Sequence, residues 1–159
     1  MDMSLRKLAI GFGLLALASA AVAQERRPGY GPAVNVSQAK KIAAGAVAEC
    51  QKNGWNVAVA IVDPHGTLVY YEKMEDTQFS SADIAIGKAR AAATYRRPTR
   101  AFADAINKGS PATATLPGVF ASPGGVPLMV DGKVIGAVGA SGVTGDQDEQ
   151  CSMAGAKAM

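Results

Sequence analysis

The run VPLMVDGKVIGAVGA, residues 126–140, constrains this chain more than any other stretch. Asp131-Gly132 parts two valine-rich apolar segments by two residues, and an Asp-Gly pair suits the two positive-φ positions of a type I′ turn. A β-hairpin is therefore predicted, with strands at Val126–Val130 and Lys133–Ala140. Gly136 and Gly139 lie in the outgoing strand, where the missing side chain permits close approach by a helix or a ligand. A second hairpin is read upstream, Asn56–Val62 and Thr67–Lys73, around Asp63-Pro64-His65-Gly66. Proline second and glycine fourth suit a type I turn.

Helical periodicity fills the remainder. NVSQAKKIAAGAVAECQKNG repeats apolar residues at Ile42, Ala46 and Cys50, with Ser37 as candidate cap and Asn53-Gly54 as stop. SSADIAIGKARAAATYRRP opens at Ser80 or Ser81 and places Asp83 in its first turn, where the helix dipole favours a carboxylate. Pro98 restricts Arg97 away from helical geometry, and a shorter helix with Phe102 and Ile106 follows, stopping at Gly109. SPATATLPGVFASPGG reads as a long ordered loop. The last helix is expected to be capped by Asp146, with Glu149 at capping-box spacing, and carries a stripe of Cys151, Ala154, Gly155 and Ala158. Two hairpins among these helices give an α+β class: an antiparallel sheet of four or five strands flanked by helices, profilin-like in three α/β/α layers.

The first 23 residues pair Arg6 and Lys7 with an apolar run ending in Ala21-Val22-Ala23, the pattern of a cleaved secretory signal peptide. The run is too short for a membrane span, so the expected product has no span. Residues 24–35 read as a flexible leader and 36–159 as one domain. Arg6, Lys7 and Asp2 leave with the signal, so the net charge falls from +3 to +2, too mild to imply nucleic acid. Arg96, Arg97 and Arg100 cluster, but without interleaved aromatics they read as a solvated helix end. Export to an oxidising compartment makes a Cys50–Cys151 disulfide the leading reading, with two unpaired buried thiols as the alternative.

The single histidine, His65, sits third in its turn. It is either an exposed turn residue or an axial ligand to haem iron, reached across a subunit contact. No Gly-x-Ser-x-Gly elbow accompanies it, and no catalytic set is assigned. The glycines of GASGVTGD precede a helix whose first turn holds Asp146, Asp148 and Glu149, so an incoming anion is repelled. Ile84, Lys88, Ala91 and Tyr95 share one helix face at spacings of four, three and four, combining small apolar residues with a cation and a phenol. Such a face seats a flat ligand with an acidic edge, or else Ile84 and Tyr95 are core and Lys88 reaches water along its stem.

The segments VAIVDPHGTLVYYEKMEDTQFSSADIAIGKARAAATYRRPT and PGGVPLMVDGKVIGAVGASGVTGDQDEQCSMAG closely resemble the GlcG/HbpS family of haem-binding-protein-like domains, also found as the C-terminal domain of PduO-type proteins. The match runs from about Val36 onward. Its most specific parts are the turn at Val62–Gly66, the helix at Ile84–Ala89, the Pro-Gly-Gly-Val-Pro hairpin entry and Asp148-Glu149. The usual Arg-Met-Asp near the second strand stands here as Lys73-Met74-Glu75, which keeps the charges and loses the guanidinium fork.

The resemblance implies a small sheet flanked by helices, frequent homo-oligomers, and haem binding in some members, with corrinoid-related or glycolate-operon contexts for others. It leads to an exported haem-binding protein acting in haem uptake, storage or redox sensing. The expected tetrapyrrole site lies between Met74, the helix bearing Lys88 and Arg90, Tyr95, and the loop of Phe120, Gly124, Gly125 and Pro127. In it Lys88 or Arg90 would meet propionates, with His65 as candidate iron ligand. Gly124-Gly125 would bend the loop over the ligand, and the strand glycines would admit the two cysteine-bearing helices. Two other readings stand beside it: an enzyme or accessory protein binding a small hydroxy acid, and an oligomeric scaffold without ligand.

Overall fold

The structure is a computed structural model that describes residues 27–159. The signal peptide read at 1–23 lies outside the described residues. In chain order the elements are β1 (Gly29–Tyr30), α1 (Val36–Lys52), β2 (Ala58–Val62), β3 (Leu68–Lys73), α2 (Ser81–Tyr95) and α3 (Arg100–Asn107). A short 3-10 helix at Pro111–Thr115 precedes β4 (Gly125–Val130), β5 (Lys133–Ser141) and α4 (Gly145–Lys157).

Both hairpins form. Asp131 and Gly132 take φ of 48° and 71°, the left-handed pair that a two-residue hairpin loop needs. Strand β5 is central, with β4 antiparallel on one edge and β2 on the other, and β3 completes the sheet beyond β2. Strand β1 runs parallel to Lys133 and Val134 at the start of β5, which makes the five-stranded sheet mixed. Part of the stretch expected to be a flexible leader is therefore held: Gly31 N–H donates to the Val134 carbonyl at 2.8 Å and Val34 N–H to Ile135 at 2.7 Å.

Strand β2 is buried on both sides because its residues alternate between two cores. Val57, Val59 and Ile61 meet α1, with Ile42, Ala46 and Cys50, while Ala58, Ala60 and Val62 lie under Ala85, Ala89, Ala92 and Ala93 of α2. Helices α1 and α4 pair on the first face, giving the three layers expected. Cys50 and Cys151 are bridged, with Cα atoms 5.7 Å apart across 101 residues of sequence.

The glycines act differently from the sequence expectation. A Cβ on Gly139 would strike the Ala85 carbonyl, so this strand glycine admits the alanine-rich α2 and not the cysteine helices. Those two helices close on each other through their own glycines: a Cβ on Gly45 would stand 2.6 Å from Ala158 Cβ, and one on Gly155 2.6 Å from the Ile42 carbonyl oxygen. The caps also shift by two residues. Asn35, not Ser37, caps α1 in a capping box with Gln38, and Thr144, not Asp146, caps α4 in one with Gln147. Ser80 makes no side-chain cap bond to α2.

Candidate functional site: an arginine cleft beside the edge strand

Helix α2 ends where its sequence leaves no alternative. Pro98 denies Arg97 a helical conformation, and Arg96 takes the left-handed region at φ 55°, its N–H donating to the Ala92 and Ala93 carbonyls. The reversal turns Arg96 and Arg97 toward edge strand β4. Between them and that strand lies a cleft of about 510 Å³. Arg27, Arg96 and Arg97 supply its charge, Val126, Pro127 and Met129 its apolar side, and Pro28, Pro98 and Ala101 complete the lining.

The guanidinium of Arg97 is held by packing. It lies 4.3 Å above the Phe102 ring and 5.9 Å from Tyr95, whose own ring meets Phe102 edge-on at 5.2 Å. Phe102 is fully buried, and the Tyr95 hydroxyl donates to the Pro117 carbonyl at 2.6 Å, so the platform is fixed. Arg97 Nε is buried with no hydrogen-bond partner. Burial, then the neighbouring charge of Arg27, push the Arg97 pKa down from the usual guanidinium value, while Tyr95 opposes them. Arg96 donates through Nη1 to the Pro28 carbonyl at 3.1 Å and lies 5.2 Å from the Tyr30 ring. Among the described residues none of the three arginines is paired with a carboxylate. Three arginines without carboxylate partners, beside an apolar wall, suit an anion with a flat apolar body.

The residues singled out from sequence do not converge on one cavity. Pro127 lines the cleft and Tyr95 supports it from behind. His65 is exposed in its turn, where the Asp63 carboxylate accepts from the His65 and Thr67 N–H groups, and it borders a separate cavity of about 370 Å³ with Tyr30 and Thr94. Met74 follows β3, packs against the α1-side core and lines a third cavity with Glu72 and Glu75. Arg90 is committed through Nε to the Gly66 carbonyl at 3.0 Å. Phe120 packs on Gly87 of α2, so close that a Cβ there would stand 2.7 Å from its ring. Lys73 reaches the Thr77 carbonyl and lies 4.7 Å from the centroid of the Phe79 ring.

Lys88 is buried, and its ammonium donates to Asp148 Oδ2 at 2.7 Å and to the Ala140 carbonyl at 3.3 Å. It offers no free ammonium to a propionate in this conformation. Gly124 and Gly125 form the passage for that pair: a Cβ on Gly124 would stand 2.9 Å from both Lys88 Nζ and Asp148 Cβ. The Gly124 carbonyl accepts from Ser152 Oγ at 2.7 Å, and Gly125 N–H donates to Thr99 Oγ1 at 2.9 Å. These glycines serve packing between layers. From sequence Arg27 reads as leader, and Arg96 and Arg97 as a solvated helix end. Two arginines before a proline at a helix terminus were the available signal.

No group of three or more metal-ligating side chains occurs among the described residues, and no helix there is long and apolar enough to cross a membrane. The family model described as "Haem degrading protein HbpS-like" matches residues 34–157. Protein GlcG of Escherichia coli is 42% identical over 103 residues, which is 65% of this chain and 77% of that protein. The crystal structure of HbpS superposes with a TM-score of 0.76 at 29% identity, covering 81% of this chain and 92% of the other. A crystal structure of a PduOC:heme complex does so at 0.73 and 27% identity, covering 80% and 95%.

Proposed function

The chain belongs to the HbpS-like family, and on that premise we propose that it binds haem or a related tetrapyrrole acid in the arginine cleft. The observation that carries this reading is the set of Arg27, Arg96 and Arg97, none paired with a carboxylate among the described residues, beside the apolar Val126, Pro127 and Met129. The donor set fits the group: Arg96 and Arg97 would hold carboxylates, while Val126, Pro127 and Met129 would pack on the macrocycle. The PduOC:heme complex among the structural neighbours supports the ligand class. Bound haem would supply redox chemistry at its iron, and this chain would supply orientation of the acid edge and exclusion of water from one face. The Met129 thioether is the soft donor within the cleft, whereas His65 borders a different cavity. The leader-like first 23 residues and the Cys50–Cys151 bridge support export to an oxidising compartment.

The same unpaired arginines favour a second reading, a small hydroxy acid held by one of them. Haemin titration of the chain lacking its first 23 residues, followed in the Soret region, separates the two. A saturable shifted band is expected. An unchanged haemin spectrum, with a rise in melting temperature on adding short hydroxy acids, would overturn the tetrapyrrole reading and favour the second.

A further inference from the structure

Residues 27–34 precede or only touch the family-matched span, which begins at 34, yet the first two of them, Arg27 and Pro28, line the cleft. The segment is pinned on both sides. Toward the sheet, β1 pairs with Lys133 and Val134, and Gly31 and Val34 donate to β5 carbonyls. Toward α2, the Tyr30 hydroxyl donates to the Thr94 carbonyl at 2.8 Å, and Arg96 Nη1 to the Pro28 carbonyl at 3.1 Å. The backbone is thus fixed up to Pro28, one residue from Arg27, whose side chain lines the cleft.

We propose that this N-terminal strap is a specificity element: it completes the cleft and, through Arg27, makes it select ligands bearing two carboxylates over those bearing one or none. The inference rests on the cleft being the ligand site. Its physical ground is the placement of like charges from two walls. Arg96 and Arg97 come from the end of α2 and Arg27 from the strap, and the Arg27 charge opposes that of Arg97. A single carboxylate relieves one of these cations and leaves the others facing each other. A second carboxylate on the same rigid body gives the strap cation its own partner, and repulsion inside the empty cleft becomes attraction in the filled one. Charge-assisted bonds of this kind account for about tenfold or more in affinity each.

The test uses the chain from Gln24 onward with two probes, protoporphyrin, which bears two propionates, and its dimethyl ester, each followed by fluorescence. Arg27→Gln is a surface change that leaves every strap hydrogen bond in place. It is expected to weaken protoporphyrin binding about tenfold while leaving the ester within about twofold. Equal losses for both probes would overturn the charge-selective role. So would an Arg27→Gln chain that binds protoporphyrin like the parent while Arg97→Gln loses it, and in that case the cleft reading survives. A parent chain that binds neither probe would instead remove the cleft reading itself.

Discussion

Lys88 of α2 and Asp148 of α4 meet at 2.7 Å although their helices cover opposite faces of the sheet, and both side chains are only 2% exposed. The pair passes beside Gly124, where any side chain would block it. Removing one partner strands a buried charge, so Lys88→Met is expected to cost about 3–5 kcal/mol. The double variant Lys88→Met, Asp148→Leu removes both charges and should recover much of that loss. Urea unfolding of the two variants checks both figures.

Burial pushes the Asp148 carboxyl above its usual 3.8, and the hydrogen bond and charge of Lys88 pull it back only in part. The folded state thus holds this proton more tightly than the unfolded chain. Its contribution to stability is fully present below 3.8 and is lost as pH rises through the folded value. Stability against pH should show this falling component in the parent, extend it to higher pH in Lys88→Met, and abolish it in the double variant. A component identical in all three would contradict the assignment.

The Cys50–Cys151 bridge closes a loop across 101 residues of sequence between α1 and α4. In the chain-entropy account a loop near this length contributes about 4.7 kcal/mol. Thermal melts with and without reductant should show a marked drop on reduction, and Cys151→Ser should melt like the reduced parent.

Asn35 Oδ1 accepts from the Gln38 N–H at 2.9 Å, while Gln38 Oε1 accepts from the Asn35 N–H at 3.0 Å. Asn35→Ala is expected to cost about 1 kcal/mol, and Ser37→Ala much less. Comparing the two by denaturant midpoint tests which residue caps the helix.

That pair of substitutions also marks where sequence was readable. Hairpin turns were legible because Asp131-Gly132 and Asp63-Pro64-His65-Gly66 encode their backbone locally. Helix caps were legible only to within two residues, since Asn35 competes with Ser37 and Thr144 with Asp146, and the register is settled by packing. Strand β1 has two residues, and its parallel partner lies a hundred positions away, so no local pattern announces it. The cleft escaped for the same reason. It joins the strap, the end of α2 and the edge of β4, three segments distant in sequence. Lys88 was legible as a cation on an apolar face, but its partner Asp148, sixty residues on, decided that it faces inward.

In the proposed binding mode Arg97 recognises the acid edge of a tetrapyrrole. Its most direct test is a haemin titration of the parent, Arg97→Gln and Arg100→Gln, the last a matched control whose guanidinium is already engaged by Asp146 and Glu149. A saturable Soret shift is expected in the parent and in Arg100→Gln, weakened about tenfold or more in Arg97→Gln. Binding that is absent from the parent, or undiminished in Arg97→Gln, would contradict it.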